Sequence, residues 1–369
     1  MKRPLAVLAL LVTVTIASTS AQAPQTFEEL SAKATQAYEA NHSAEALDLF
    51  ARALKLRPEW AQGWWAIGMI EYQRDRYPEC RDAITRMIAL DSAAVPGLAL
   101  LGLCEFRTKQ YDAAFQHLKK AHMMVPATQP GGPLLDMADY HLALLLTQQG
   151  AFELAQDFFM RVARKVHDNP DMMFAAGLPS LRISALPFEV SPSQRDAVAM
   201  AGKTFWDLVT QPPEQAEEDF KALVAKYPKF PNVHYFYGTY LAARRPEACV
   251  PEFLEELKIT PDSVPARVQL TLHLTLDGNL EQALELAHEA VSLSPDSVGA
   301  QLALAKVLRT QGDNQGALVA YLAAEKLDPV SPVIRLQMVN VYRDLDRLDD
   351  MRREKAEYDR LKALEANWP

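Results

Sequence analysis

Val264–Ser297 reads VPARVQLTLHLTLDGNLEQALELAHEAVSLSPDS, and Val298–Ser331 reads VGAQLALAKVLRTQGDNQGALVAYLAAEKLDPVS. The two segments are equal in length and superpose without a gap. Leu270 meets Leu304, Leu274 meets Leu308, Gly278 meets Gly312, Ala283 meets Ala317 and Ala290 meets Ala324. A fixed period of this length is the signature of a repeat architecture.

The residue types of one unit follow from helix geometry. Ala266, Leu270 and Leu274 recur on one helical face. Gly278-Asn279 then breaks the helix, because both residues tolerate a left-handed backbone. Ala283, Ala287 and Ala290 line a second helix with small side chains, so two antiparallel helices approach closely. Pro295 cannot continue that helix. One such hairpin leaves an apolar face uncovered and must stack on a neighbour.

These residues resemble the tetratricopeptide repeat family, whose 34-residue unit carries Leu, a small residue, Ala, an aromatic, Ala and Pro at fixed places. The frame extends over most of the chain. Phe27–Trp60 supplies Leu30, Ala34, Ala46, Phe50, Ala53 and Pro58; Ala61–Ala94 supplies Trp64, Gly68, Cys80 and Ile84; Val95–Thr128 supplies Leu98, Gly102, Ala114, Leu118 and Pro126. A weaker unit follows the break at Gln129-Pro130-Gly131-Gly132-Pro133, near Asp136–Asn169. Pro170–Gln194 departs from the frame and reads as an irregular insertion or corner; Met172–Arg182 within it suits a helix. The frame resumes at Arg195–Phe230 and Pro231–Ser263, and Pro332–Glu365 follows the two matched units. The charge-dense second helix of that last unit (Asp349–Leu364) suits a solvent-facing cap. The resemblance implies an all-α, right-handed solenoid of about nine antiparallel helix pairs, divided into residues 22–169, 170–194 and 195–369.

Residues 1–21 read as a secretory signal peptide: Lys2-Arg3, the apolar run Leu5–Ala17, and small residues at Ala21 and Ala23. Cleavage after Ala21 is favoured over Ala23, because Pro24 would follow the second site. The leader's brevity resembles bacterial export, which places the chain in the periplasm or outside the cell. No later run is long enough to span a bilayer, so no transmembrane helix is expected in the mature chain. The net charge of −9 argues against nucleic acid as a partner. Cys80, Cys104 and Cys249 are odd in number, so no disulfide framework is expected. Cys80 and Cys104 fall in neighbouring units and a single bridge is open to them in an oxidising compartment; buried free thiols standing in for alanine are the simpler reading.

No phosphate loop, dinucleotide fingerprint, nucleophile elbow or H-E-x-x-H is present. His117 and His122 are five apart, a poor spacing for a shared metal. Neither catalytic residue, metal nor cofactor is therefore expected. In the family, the first helix of each unit lines the concave surface. The matching positions here are Tyr38; Trp65, Met69, Tyr72 and Gln73; Leu103, Phe106 and Arg107; and Tyr140, Leu144 and Gln148. Aromatic, Met and Arg side chains are the types enriched at binding hot spots. An apolar groove for a peptide or helix is expected there, with packing of the rings between repeats as the alternative. In the C-terminal half the positions are Tyr235, Thr239, Val268, Leu272, Leu302, Lys306, Arg309, Asn340 and Arg343. Lys306, Arg309 and Arg343 form either a cationic patch for an acidic partner or scattered solvated charges. The resulting expectation is a non-enzymatic scaffold that binds another protein or peptide, in a cell-envelope or secretion assembly. The alternatives are a self-assembling (homo-oligomeric) structural protein and an enzyme whose site is completed by residues 170–211.

Overall fold

A computed structural model describes residues 25–125, 131–166 and 168–364. The expected leader, Pro126 and the residues Gln129-Pro130 lie outside them. The described residues form nineteen α-helices and no strand. Four hairpins come first: α1 (Phe27–Glu39) with α2 (Ser43–Leu56), α3 (Ala61–Gln73) with α4 (Tyr77–Leu90), α5 (Val95–Arg107) with α6 (Tyr111–Met124), and α7 (Gly132–Gln148) with α8 (Phe152–Ala163). The middle of the chain holds α9 (Pro170–Ser180), α10 (Pro192–Thr210) and α11 (Pro213–Lys226). Next come α12 (Val233–Arg244) and α13 (Cys249–Ile259), joined by a 3-10 turn. Three hairpins follow: α14 (Val264–Leu276) with α15 (Leu280–Leu293), α16 (Val298–Thr310) with α17 (Asn314–Leu327), and α18 (Pro332–Asp344) with α19 (Leu348–Leu364). The fold is an α-solenoid.

The hairpin turns carry the period in the backbone. A left-handed residue closes the first helix at Asn41, Asp75 and Lys109, and again at Gly278, Gly312 and Asp346. In each run these positions are one repeat apart. The residue after each donates its N–H back across the turn, as Arg76 does to the Glu71 carbonyl at 2.8 Å and Asp313 to the Leu308 carbonyl at 2.9 Å. This is the bond that satisfies a helix's last carbonyls before the chain reverses. Gly278 and Gly312 adopt φ of +79° and +88°, which glycine reaches without steric cost.

The middle of the chain is packed more tightly than the hairpins around it. Gly177 of α9 and Gly202 of α10 lie where the two helices cross. A Cβ on Gly177 would sit 2.0 Å from the Val198 carbonyl oxygen, and one on Gly202 1.9 Å from that of Met173. The helix in the first half of 170–194 is thus pressed backbone to backbone on α10, and residues 181–191 form the turn between them. Glu256 of α13 is fully buried and caps the N-terminus of the preceding helix, α12. Its carboxyl oxygens accept from the Asn232 N–H at 2.9 Å, the Tyr235 N–H at 3.3 Å and the Thr260 hydroxyl at 2.9 Å. Asn232 just before α12 is left-handed (φ +67°), so those N–H groups would otherwise be orphans.

Cys80 of α4 and Cys104 of α5 form a disulfide, with Cα atoms 6.3 Å apart. This corrects the expectation of free thiols there. The tight contact between adjacent hairpins brings the two side chains together on facing helices. Cys249 is a buried free thiol, with burial pushing its pKa up to about 11.

Candidate functional site

A concavity lies across the first helices of the last three hairpins. Val268 and Leu272 of α14, Leu302, Ala303 and Lys306 of α16, and Val333 of α18 enclose a groove of about 570 Å3. Its walls repeat with the chain: Val268 and Leu302, Leu272 and Lys306, and Gly299 and Val333 are each one repeat apart. Tyr321 of α17 contributes a buried ring to the lining, and burial raises its phenol pKa. Val333 is 59% exposed, so apolar surface remains open to a partner.

The charges at the groove differ from the expected cationic patch. Arg309 places Nε and Nη2 each 2.7 Å from Asp344 Oδ2, so its charge is balanced within the groove. Arg343 stands outside the lining; it donates to Asn340 Oδ1 at 3.1 Å and lies 3.8 Å from Asp344 Oδ1. Lys306 is exposed and makes no ion pair among the described residues. Its charge is felt at His273: burial holds that imidazole below its usual value, Asp277 opposes the shift and Lys306 adds to it. Of the three cations, Lys306 alone points an unbalanced charge at the groove.

The expected N-terminal groove is largely filled by the chain itself. Leu103, Leu144 and Tyr235 are 0%, 4% and 8% exposed and belong to the core, which corrects their placement at a binding surface. In α5 every residue from Gly97 to Glu105 is buried, so this helix is covered on all sides rather than on one. The cause is α7, which has 17 residues where α1, α3 and α5 have 13. Its first turns carry Leu134 into the cluster of Trp65, Met69 and Tyr72 around the disulfide. The Tyr72 hydroxyl donates to Met137 Sδ at 3.3 Å. Phe106 is wedged between Tyr111 and His141, with ring centres 5.4 and 4.7 Å away. Tyr140 packs on His141 and Phe159, and burial pushes its pKa up to about 12. Tyr38 packs on the first hairpin's core. Gln73 and Arg107 are exposed, and the Arg107 guanidinium lies over the Tyr77 ring at 4.2 Å. Packing of rings between repeats is the arrangement observed for most of this set.

A second concavity lies between α8, α10 and α12; Thr239, a concave position of the repeat frame, lines it, and its other walls were not singled out in sequence. Histidines that drew attention in sequence are taken by carboxylates: His117 Nδ1 lies 2.8 Å from Glu105, and His122 Nδ1 2.8 Å from Asp139. Among the described residues, no three His, Cys, Asp or Glu side chains are grouped to hold a metal, and no helix is long and apolar enough to cross a membrane.

The tetratricopeptide repeat family model matches residues 31–95 and 277–332. Those stretches cover most of α1 to α4 and all of α15 to α17. No curated protein matches the chain. Among solved structures it is similar to a double mutant of MamA RS-1, at 20% identity over 46% of this chain and 94% of that one, with a TM-score of 0.39. It is similar to yeast Tom70 at 12% identity over 91% and 76%, with a TM-score of 0.39. It is also similar to MamA 41-end from Desulfovibrio magneticus RS-1, at 20% identity over 46% and 94%, with a TM-score of 0.38.

Proposed function

We propose that this chain is a protein-binding scaffold that holds a segment of a partner protein along the groove of α14, α16 and α18. One observation carries the reading: apolar walls that recur once per repeat, with the unbalanced cation of Lys306 among them. A solenoid acquires such a surface because each hairpin offers the same positions of its first helix. A fitting segment brings apolar side chains to Val268, Leu272, Leu302 and Val333 and a carboxylate to Lys306. The family match at residues 277–332, which includes α16, is in line with binding rather than catalysis.

The chain is proposed to act outside the cytoplasm, in a cell-envelope or secretion assembly. Two features support this: the leader-like residues 1–21, and the Cys80–Cys104 bridge, a bond that persists in oxidising compartments. The test is affinity capture from an envelope fraction with the full mature chain and with Leu272→Asp plus Leu302→Asp. Loss of a captured protein from the double variant, with its helical circular dichroism retained, is the expected result. Undiminished capture would remove the groove from the account.

A further inference from the structure

The concavity between α8, α10 and α12 has a volume of about 480 Å3 and a distinct charge layout. One stripe of α8, running from Glu153 through Asp157 and Met160 to Arg164 at its C-cap, forms a wall. These residues fall on one helical face and span about 16 Å. Phe236, Tyr240 and Arg244 line it from α12, and Phe205, Leu208 and Val209 from α10. Phe205, Phe236 and Tyr240 are buried, and Leu208 and Val209 half-buried, so the floor is apolar.

The two walls run in the same direction. Arg182 donates to Glu153 at 2.5 Å, and its guanidinium lies 5.3 Å from the Tyr235 ring. The N-terminal ends of α8 and α12 therefore meet around Arg182, and their C-terminal residues Arg164 and Arg244 lie at the far end. The result is a trough with Glu153 and Asp157 towards one end and Arg164 and Arg244 at the other. Asp157, Arg164 and Arg244 make no ion pair among the described residues, although Arg244 rests over the Tyr240 ring at 5.2 Å. The Asp157 carboxyl is raised above its usual pKa, first by burial, with Arg161 opposing and Glu153 adding to the shift.

We propose that this trough receives an amphipathic helix of a partner protein, apolar stripe on Phe205, Leu208 and Val209, with a basic residue facing Asp157, beside the Arg182-paired Glu153, and an acidic residue facing Arg164 and Arg244. Helix-on-helix packing is how an apolar floor flanked by two helical walls is filled. Asp157 and Arg164 are separated by two helical turns, about 10 Å. A partner helix matches that separation with charges of opposite sign two turns apart. A ligand with charge at one end alone leaves the other end of the trough without a counterpart.

The test uses the full mature chain and three labelled synthetic helical peptides of about four turns, read by fluorescence anisotropy. All share one leucine stripe; one carries Lys at one end and Glu at the other, one carries Lys at both ends, and one carries Glu at both. The mixed peptide is expected to bind at least about threefold more tightly than either uniform peptide, because the one end at which they differ turns from repulsion to attraction. Arg164→Glu with Arg244→Glu should transfer that preference to the Lys-only peptide. Both side chains are exposed, so the variant is expected to fold, and circular dichroism checks it. Lys306→Glu, in the other groove, should change nothing. Binding blind to the peptide charges, no saturable binding, or equal loss on Lys306→Glu would each overturn the proposal. A dimer in sedimentation that the mixed peptide dissociates would assign the trough to a second copy and overturn the partner reading.

Discussion

Replacing Cys80 and Cys104 together by alanine should loosen one joint of the solenoid while leaving the rest in place. The bridge ties the second helix of the second hairpin to the first helix of the third, across a sequence separation of 24 residues. Closing a loop of that length removes chain entropy from the unfolded state worth about 3.5 kcal/mol at 25 °C. Both positions are fully buried; alanine stands at the place of Cys80 in other units (Ala46, Ala114, Ala283, Ala317), whereas the place of Cys104 holds Ile70 or Val307, so Cys104→Ala adds a small packing loss. In stacked repeats, stability is a sum of local terms and nearest-neighbour interfaces, and the whole loss falls on the joint between these two hairpins. With a urea slope of about 2 kcal/mol/M, it lowers the local midpoint by about 1.5 to 2 M. Trp60, Trp64 and Trp65 lie in or beside α3, so tryptophan fluorescence reads this region, with Trp206 of α10 as a separate probe. The double variant, or the reduced wild type, should show an early fluorescence transition ahead of the main loss of helical circular dichroism. Coincident oxidised and reduced curves would refute the reasoning. So would three titratable thiols in unfolded, unreduced protein, where one is expected.

Three further outcomes follow from particular contacts. Gly177→Ala should cost about 3 kcal/mol, because its methyl must push α9 off the Val198 carbonyl; an unchanged melting temperature would contradict that crossing. Glu256→Ala orphans the buried Tyr235 N–H and removes the acceptor of the half-buried Asn232 N–H and Thr260 hydroxyl, and should cost about 2 to 4 kcal/mol in urea unfolding; a loss near zero would mean the cap is dispensable. His234 is held above its usual pKa, first by its 2.6 Å bond to Glu252, so its contribution is full below the unfolded value and is lost as pH rises through the folded one. The stability gap between wild type and His234→Gln should therefore be larger at about pH 5.5 than at about pH 9, and a gap independent of pH would exclude a charged partner for Glu252.

The hairpins were legible because their determinants are local. Gly278 and Gly312 announced left-handed turns, and Leu270, Leu274, Leu304 and Leu308 announced helical faces. The same period placed Val268, Leu272, Leu302 and Lys306 at concave positions, although the apolar groove was expected in the N-terminal units instead. What escaped the sequence is what depends on contacts between units. Leu103 and Leu144 occupy surface positions of the frame, yet they are buried because α7 carries an added turn that closes over α5 and α3. Of the two readings of Lys306, Arg309 and Arg343, the cationic patch fails for a similar reason: Asp344, 35 residues beyond Arg309 and next to its repeat partner Arg343, neutralises Arg309, and no pattern within one unit reveals that pairing. Glu256 was a missed signal. It stands one repeat before Ala290 and two before Ala324, at a place the frame reserves for a small residue. A carboxyl there points to a buried task, which proves to be capping α12. Of the trough of α8, α10 and α12 only Thr239 was marked, because its other walls come from the units that fit the period least well.

The most direct measurement of the central claim is site-specific photocrosslinking from the groove. A benzophenone side chain is placed at Leu302, inside the groove, and in a separate protein at Val319, which is exposed on α17 outside it. The account predicts that Leu302 crosslinks a defined segment of one partner protein, that Lys306→Glu weakens this crosslink, and that Val319 crosslinks little of that partner. Equal crosslinking from both positions, or a Leu302 crosslink to the same partner that ignores Lys306→Glu, would contradict it.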